Sequence, residues 1–269
     1  MTPLTLLDDW PVANVSAAWV DPHGRVVTHG DVRRRYHLAS LTKLLTGAAV
    51  HIAHDEGTID LAQPIDDLDG ADGRDLLAHS SGLGPDDPTG LTAPHRRRMY
   101  SNAGYELIAE RVAAAAGFPF ADYLREAVFE PLTMPDSRLD GSPAAGATAS
   151  VHDLVTFLTA VRDGSLLSAE AKARFTTAHL PALDGVLPGF GRHQPNPWGQ
   201  GPEIRGEKSP HWTGTDNSPV TWGHFGQSGG LLWHDPVAMV SLIVLTDEPF
   251  GEWASARWPG LSDAVLSAG

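Results

Sequence analysis

The stretch Tyr36-His-Leu-Ala-Ser-Leu-Thr-Lys43 opens the segment of the chain that decides its fold. Apolar residues follow it at three- and four-residue spacing, which predicts a helix over residues 40–56. Ser40 and Lys43 are three residues apart, so the hydroxyl and the amine lie on one face of that helix, about one turn apart. Lysine is otherwise scarce in this chain, at positions 43, 172 and 208 alone.

The pairing of Ser40 with Lys43 permits nucleophilic chemistry. A serine hydroxyl is a poor nucleophile without a base, and a buried lysine can lose its proton near neutral pH because burial disfavours the charged form. The helix start also offers unbonded backbone N–H groups to a developing negative charge. Taken alone, the same spacing equally fits a helix-capping serine followed by a surface lysine.

The pattern on either side of this helix places it between two hairpins. Residues 14–29 read as a first hairpin, and residues 229–246 as a second one followed by a helix over 253–267. Further helices are predicted between them, over residues 72–80, 103–116, 121–129, 151–162 and 169–179. Residues 181–219 are rich in proline and irregular. This order predicts a sheet built from both chain ends, with a helical region inserted between them.

Two more motifs follow Ser40-Leu-Thr-Lys43 in a fixed order. Tyr100-Ser-Asn102 precedes the second long helix, and His224-Phe-Gly226 precedes Gln227 and the second hairpin. The series S-x-x-K, Y-x-N and H-x-G resembles the serine β-lactamase and penicillin-binding-protein superfamily, specifically its class C-like esterase/peptidase branch. The resemblance extends over roughly residues 14–250. The flanking blocks that share it lie at 57–61, 76–83, 130–134 and 141–157.

The resemblance implies an α+β fold of the β-lactamase/transpeptidase type, an antiparallel sheet flanked by helices. Residues 1–45 and 181–269 are expected to form a discontinuous sheet domain, and residues 46–180 a helical domain. The active site is expected in the groove between them.

The resemblance also assigns roles to seven residues. Ser40 would attack an acyl carbon, and Lys43 would hydrogen-bond Ser40 and help remove its proton. Tyr100 would relay protons to the leaving group, which requires the Lys43 charge to lower its pKa from the usual value of about 10. The remaining four would bind substrate. They are Asn102, which would orient Lys43 and the substrate amide or carbonyl; His224 and Gly226 of the third motif; and Gln227, whose backbone N–H would form the oxyanion hole with that of Ser40.

His224 stands where the antibiotic-directed members of the superfamily carry a lysine that holds a substrate carboxylate. A histidine is mostly neutral at pH 7, so His224 favours a neutral ester or amide and is expected to gain a proton only as the pH falls toward 6. A packed histidine at the start of a strand is the alternative interpretation.

Composition excludes several other classes of function. The 269 residues carry a formal net charge of −14 and no cysteine. Such a chain repels phosphate backbones and anionic lipid, so neither nucleic acid nor a membrane is an expected partner. The N-terminus lacks the features of a signal peptide and no apolar run is long enough to span a bilayer, so a cytoplasmic location is expected. The sequence does not indicate an oligomeric state.

Several other polar residues near these motifs have simpler interpretations than a role in catalysis. His51 and His54 lack matching partner ligands, so we expect a solvent-facing pair, with no metal and no cofactor. We expect His79 to be a structural hydrogen-bonding histidine. The run Arg96 to Arg98 is expected to be solvated or paired with acidic residues. Three tryptophans could either wall an acyl pocket or fill the core of the proline-rich stretch; they are Trp198, Trp212 and Trp222.

The sequence therefore predicts a metal-free serine hydrolase that acts through a covalent acyl-enzyme on a small-molecule ester or amide. A β-lactamase or D-Ala-D-Ala carboxypeptidase is one alternative, although it would require export. An acyltransferase of the same fold is another, since only the access of water to the acyl-enzyme differs. A catalytically silent binding module is the third, and the intact Ser40, Lys43 and Tyr100 argue against it.

Overall fold

The structure is a computed structural model that describes residues 2–269. Its strands are β1 (Val15–Val20), β2 (Val26–His29), β3 (Arg35–His37), β4 (Arg138–Leu139), β5 (Ala147–Ser150), β6 (Gly185–Leu187), β7 (Gly191–His193), β8 (Glu203–Ile204), β9 (Trp222–Phe225), β10 (Leu231–Asp235) and β11 (Val240–Thr246). Its α-helices are α1 (Thr42–Asp55), α2 (Gly73–Leu77), α3 (Asn102–Ala116), α4 (Phe120–Leu124), α5 (Val151–Asp163), α6 (Ala169–Thr176) and α7 (Glu252–Ala268).

A six-stranded antiparallel sheet joins the two ends of the chain, in the order β2-β1-β11-β10-β9-β8. The first hairpin pairs directly with the last strand, with Val15 opposite Thr246 and Val20 opposite Ser241. Two smaller sheets accompany it, β3-β5-β4 and the β6-β7 hairpin. The predicted α+β fold, an antiparallel sheet flanked by helices, is confirmed.

Both faces of the large sheet are covered, and every residue of β11 is buried. Successive side chains of a strand point to opposite faces. Ile243 and Leu245 accordingly belong to one apolar core, with residues of α1 and α5. Leu242 and Val244 belong to a second core, with residues of α7 and of the 3-10 helix Pro3–Asp9.

The inserted segment forms a layer of helices around α1. Helix α3 packs against α1, α2 and α4, and α6 also packs against α1. Helix α5 packs against β1 and β11 although it lies within residues 46–180. The division of the chain into a sheet domain and a helical domain stays a prediction.

Local structure differs from the sequence expectation at two places. The predicted helix 40–56 begins as a 3-10 turn, Ala39–Leu41, before α1 takes over. The proline-rich stretch 181–219 contains the short strands β6, β7 and β8 rather than irregular chain alone. Among residues 2–269, no helix is both long and apolar enough to cross a membrane.

Candidate active site

Ser40 lies in the short turn between β3 and α1. The preceding residue, Ala39, has a φ of +45°, in the left-handed region that residues with a side chain rarely adopt. Such a conformation costs about 1–3 kcal/mol and persists only where the surrounding structure enforces it. The turn delivers the Ser40 hydroxyl, which is only partly buried, to the start of α1.

Lys43 is fully buried on the first turn of α1 and makes three polar contacts. Its Nζ lies 2.7 Å from Oδ1 of Asn102, 2.9 Å from the main-chain oxygen of Ala144 and 3.4 Å from Oγ of Ser40. Burial lowers the pKa of Lys43 to about 7, against the opposing influence of the Asp86 and Glu106 carboxylates. Lys43 therefore exchanges its proton near neutral pH.

The contacts of Lys43 fit both of its protonation states. A lysine ammonium has three donors, which match the oxygens of Ser40, Asn102 and Ala144, whereas a neutral amine has two N–H bonds and one lone pair. In the neutral form the oxygens of Asn102 and Ala144, which can only accept, take the two N–H bonds. The lone pair then remains for the hydroxyl proton of Ser40.

Tyr100 approaches Ser40 from the other side. Its hydroxyl donates to Oγ of Ser40 at 2.6 Å, and Nζ of Lys43 lies 4.7 Å from the centre of its ring. Burial raises the pKa of Tyr100 well above its usual value, and the hydrogen bond to Ser40 only partly offsets that rise. The expectation that the Lys43 charge lowers this pKa is therefore wrong: desolvation of the phenol dominates, and Tyr100 keeps its proton.

Asn102 is held at the first position of α3 with its amide oriented toward Lys43. Its Nδ2 donates to Oδ1 of Asp86 at 2.8 Å, which leaves Oδ1 of Asn102 for the lysine. Ser101 caps the helix by accepting from the N–H of Gly104, and its own hydroxyl donates to the main-chain oxygen of Gly84 at 2.6 Å. The loop before α3 therefore fixes the Tyr100-Ser-Asn102 motif at both ends.

His224 lies buried on β9 with its ring 5.9 Å from that of Tyr100. Its Nδ1 is 2.6 Å from the main-chain oxygen of Phe225. Because this oxygen can only accept, Nδ1 carries the proton and Nε2 is unprotonated. Nε2 is buried and has no partner among the described residues. Burial, followed by the charge of Lys43, lowers the pKa of His224 to about 3. The expectation that His224 gains a proton near pH 6 is therefore wrong.

The end of β9 presses against the turn that carries Ser40. A Cβ on Gly226 would lie 2.4 Å from the main-chain oxygen of Leu38, so no larger residue fits there without movement. Gln227 follows, and Ser40 and Gln227 line one small cavity of about 40 Å³. All seven residues predicted for the site thus lie around the junction of β9, the start of α1 and the start of α3.

Trp198 forms a wall of this cavity. Its ring centre lies 5.4 Å from that of His224, 4.7 Å from that of His79 and 5.7 Å from that of Tyr100. The other two candidate tryptophans, Trp212 and Trp222, belong to the two apolar cores. Trp198 also belongs to the second core, so both interpretations apply to it, whereas neither Trp212 nor Trp222 lines the cavity at Ser40.

A buried polar network holds Trp198 in place, and no sequence motif pointed to it. Oδ1 of Asn196 accepts from Nε1 of Trp198 at 3.3 Å and from Nζ of Lys208 at 3.0 Å. Lys208 forms an ion pair with Glu203, 2.6 Å apart, and both side chains are buried. Lys208 is thus the second of the three lysines to lie in the interior.

A larger cleft of about 430 Å³ adjoins the small cavity, and the two share Tyr100 and Pro188. Its walls combine apolar and charged groups. Arg192 in the cleft pairs with Asp184, whereas Arg97 forms no ion pair within residues 2–269. A substrate that reaches Ser40 therefore has room to extend past Tyr100.

The expectations for the neighbouring basic residues are partly wrong. Arg98 is buried rather than solvated, and its guanidinium donates to main-chain oxygens, including those of Asn196 and His179. His51 is also buried, because α1 faces the segment that precedes β8. The His51 ring lies 3.1 Å from the main-chain oxygen of Gln200 in that segment.

His79 is confirmed as a structural histidine, since its Nδ1 accepts from the N–H of Ser101 at 3.1 Å. Residues 2–269 contain no cluster of potential metal ligands.

Asp86 and Ala144 complete the surroundings of Lys43, and sequence reasoning missed both. Ala144 contributes only a main-chain oxygen, which no side-chain pattern can signal. Asp86 lies in an irregular segment whose acidic residues look alike in sequence. Only the fold reveals which carboxylate faces Asn102.

The antiparallel sheet covered by helices on both faces is the β-lactamase/transpeptidase fold. The chain belongs to the Beta-lactamase family, whose family model matches residues 14–265. This is a family of serine hydrolases that includes β-lactamases and peptidases.

Three similar proteins illustrate the range of the family. A beta-lactamase from Mycobacterium bovis is 48% identical, with a TM-score of 0.96 over 99% of both chains. The D-alanyl-D-alanine-carboxypeptidase/endopeptidase AmpH of Escherichia coli is 26% identical over 142 residues, a match that spans 39% of this chain and 37% of AmpH. A D-amino acid amidase from Ochrobactrum anthropi is 20% identical, with a TM-score of 0.76 over 99% of this chain and 96% of that one, which is a likeness of fold.

Proposed function

We propose that the protein hydrolyses a small ester or amide through a covalent acyl-enzyme formed on Ser40. One observation carries this proposal: Oγ of Ser40 lies between the hydroxyl of Tyr100, at 2.6 Å, and the buried amine of Lys43, at 3.4 Å. A nucleophile, a base with a pKa of about 7 and a protonated phenol in mutual contact supply the groups that acyl transfer requires.

The proposed acylation begins with Lys43 in its neutral form. Oγ of Ser40 bonds to the acyl carbon while its proton passes to Nζ of Lys43. The backbone N–H groups of Ser40 and Gln227 stabilise the oxyanion, at about 3–4 kcal/mol for each such donor. The bond to the leaving group then breaks as the Tyr100 hydroxyl gives it a proton, and Lys43 reprotonates Tyr100.

Water completes the cycle by the same route. Water gives a proton to Lys43 and attacks the acyl carbon. The bond from that carbon to Oγ of Ser40 then breaks, and Lys43 returns the proton to Oγ. Asn102 keeps the Lys43 amine directed at Ser40 throughout, because Asp86 binds the other end of its amide. These residues therefore suffice for hydrolysis without a cofactor in the proposed scheme.

We propose a substrate that is neutral around the scissile bond. His224 is neutral, and the amine of Lys43 already binds Asn102. Neither side chain therefore offers a permanent charge to a carboxylate next to the scissile bond. The names of a beta-lactamase and of a D-alanyl-D-alanine-carboxypeptidase/endopeptidase among the relatives make β-lactams and D-alanyl peptides the competing substrates. Such a substrate would have to place its carboxylate near Arg97 or Arg192, in the larger cleft.

Labelling with a fluorophosphonate tests the nucleophile directly. We expect one covalent adduct by intact mass, mapped to Ser40 by peptide mass spectrometry and absent in Ser40→Ala. Ser228→Ala is the matched control: this hydroxyl is also buried close to Gly226, yet it has no proposed role and its loss should leave the adduct intact. A folded protein that forms no adduct, or forms it on another serine, would contradict the proposal and favour a silent binding module.

Turnover assays then separate the substrate classes. We expect p-nitrophenyl acetate and D-amino-acid amides to be cleaved with a higher kcat/KM than nitrocefin or a D-alanyl-D-alanine peptide. Faster cleavage of nitrocefin or of the D-alanyl-D-alanine peptide would contradict the proposal that the substrate is neutral around the scissile bond. Transfer of the acyl group to an added alcohol in preference to water would identify an acyltransferase.

A further inference from the structure

A second cavity, of about 520 Å³, lies at the end of β9 and β10 that points away from Ser40. Arg162 at the end of α5, Lys172 on α6, and Trp222 and His234 on the strands face it. It shares no lining residue with the cavity at Ser40 or with the cleft beside Tyr100. Nothing in the proposed hydrolysis uses it.

The charge of this cavity is opposite to that of the chain. Arg162 and Lys172 line it, no aspartate or glutamate does, and neither cation forms an ion pair within residues 2–269. The chain has 33 acidic residues against 19 basic ones, so a lining with two cations and no carboxylate is opposite to its overall charge. Such a hollow concentrates anions locally.

Arg162 also has a buried donor with no partner. Its Nε is enclosed and makes no hydrogen bond to the described residues. A buried donor left unpaired costs about 1–3 kcal/mol, and native structures rarely contain one without a ligand, a water or a function to explain it. Burial lowers the pKa of Arg162, with only a partial offset from Asp163. The Arg162 side chain is therefore partly desolvated, and no carboxylate among the described residues is in contact with it.

The nearby carboxylates do not form an ion pair with Arg162 or Lys172. Asp163 accepts from the N–H of Ser165 at 2.8 Å and does not line the cavity. Asp235 accepts from Ser218 and Thr221 and does not line the cavity. Lys172 donates to the main-chain oxygen of Arg162, which caps α5 but leaves both positive charges in place. Cations at the end of α5 are favourable because they interact with the helix dipole. That interaction alone does not explain why Nε of Arg162 is enclosed and unpaired.

The remaining walls are apolar. Ile204, Trp222 and Pro236 line the cavity, and Val220 and Met239 are half-exposed at its rim. His234 is neutral, because burial and then the charge of Arg162 lower its pKa to about 4. An aromatic or aliphatic group can therefore be buried beside the two cations.

We infer that this cavity binds a small organic anion in which a carboxylate is attached to an apolar ring or chain. The carboxylate would accept from the guanidinium of Arg162 and from Lys172, and the apolar body would cover Trp222 and Ile204. Charge-assisted hydrogen bonds of this kind are worth about 1.5–3 kcal/mol each, and the apolar contact adds to them. This inference does not depend on the chemistry proposed for Ser40.

Equilibrium binding of 2-naphthoate, followed by calorimetry, tests the inference. We expect saturable binding by the full chain that weakens at least about tenfold when neutral 2-naphthamide replaces 2-naphthoate, since one charged hydrogen bond corresponds to about that factor. Acetate, which lacks the apolar body, should not compete. Equal affinity for the acid and the amide, or no binding of 2-naphthoate at millimolar concentration, would overturn the inference.

Variants locate the bound anion. Arg162→Gln and Lys172→Gln should each weaken 2-naphthoate binding at least about tenfold, and Arg162→Lys should retain part of the affinity because it keeps the charge.

Two further variants are controls. Arg257→Gln removes an exposed cation of α7, and Arg97→Gln removes a cation of the cleft beside Tyr100. Both controls should bind 2-naphthoate like the parent protein. If Arg97→Gln is the variant that loses affinity, the anion binds near Ser40 and the second site does not exist. Ser40→Ala should bind normally, so failure of the proposed hydrolysis leaves this test intact.

Discussion

Lys43 is the residue whose state controls the proposed chemistry. It is enclosed by Ser40, Asn102 and Ala144, and burial brings its pKa down to about 7 from the usual 10.5. A lysine at the surface would be almost wholly protonated at pH 7 and could not act as a base. Its environment therefore matters more than its identity.

The pH dependence of the rate follows from this state. The neutral form of Lys43 accepts the Ser40 proton, so kcat/KM should rise with pH, with a midpoint near 7, and then level off. Tyr100 adds no titration in that range, because burial raises its pKa further above neutrality. A pH series from 5.5 to 9 with p-nitrophenyl acetate measures this. A rate that instead falls through pH 7 would show that the protonated amine is the working form.

His224 leads to a second prediction at the scale of one residue. Because its pKa is about 3, it stays neutral from pH 8 to pH 6, and the preference for a neutral over an anionic ester should not change across that range through His224. The ratio of kcat/KM for p-nitrophenyl acetate to that for mono-p-nitrophenyl succinate measures the preference. His224→Lys should shift the ratio toward the anionic ester, whereas His23→Lys, at an exposed turn, should not. Lys43 also titrates in this range, so the parent protein is compared with His224→Gln. A fall in the ratio on acidification that is lost in His224→Gln would mean that this imidazole does gain a proton.

At the scale of secondary structure, the sequence predicted most helices and both hairpins because each has a clear apolar period. The β1-β2 and β10-β11 hairpins and helices α3, α5 and α7 lie within a few residues of their expected bounds. The 3-10 turn at Ala39–Leu41 was not predictable, since it packs against β9, which is distant in sequence.

The errors concerned polar residues that tertiary structure buries. Arg98 and His51 were expected at the surface because their side chains are polar. Each is buried because it meets main-chain oxygens of the 179–200 segment, which is distant in sequence. The site motifs were found because their order resembles a family, whereas Trp198 and the Asn196–Lys208 contact that holds it belong to no motif.

The segment that carries Trp198 depends on the Lys208–Glu203 ion pair. Lys208→Met should lower the free energy of unfolding by about 3–5 kcal/mol, because it leaves the buried Glu203 carboxylate without its lysine and with only His211 and Trp212 as partners. Urea denaturation measures the loss. Lys172→Met, at a partly exposed lysine without an ion pair, is the matched control and should change stability by less than about 1 kcal/mol. Equal effects for the two variants would mean that the buried pair does not support this segment.

At the scale of the whole molecule, the site exists because distant parts of the chain meet. Ser40 comes from the 3-10 turn before α1 and Lys43 from α1 itself. Tyr100 and Asn102 lie at the start of α3, and residues 224–227 lie at the end of β9 and just after it. The contact of Gly226 with the main chain of Leu38 sets the spacing between sheet and helix. Activity should therefore respond to sub-ångström changes at that contact.

Gly226→Ala tests this dependence. The added Cβ would lie 2.4 Å from the Leu38 oxygen, so β9 and the Ser40 turn must move apart. We expect a loss of about a hundredfold in kcat/KM, as for a displacement of about 1 Å, and a destabilisation of about 1–3 kcal/mol. Gly260→Ala adds the same atom within α7, where nothing lies within 4 Å, and should leave the rate unchanged while slightly stabilising the helix. A normal rate in Gly226→Ala would show that this contact does not set the site.

The burial of two of the three lysines has a practical outcome for derivatising the protein. Lys43 and Lys208 are enclosed, and Lys172 alone is partly exposed. An N-hydroxysuccinimide ester, which needs an accessible amine, should therefore acylate one lysine side chain of the folded chain. Because Lys172 faces the 520 Å³ cavity, a single environment-sensitive fluorophore coupled there would report on that cavity without any engineered cysteine.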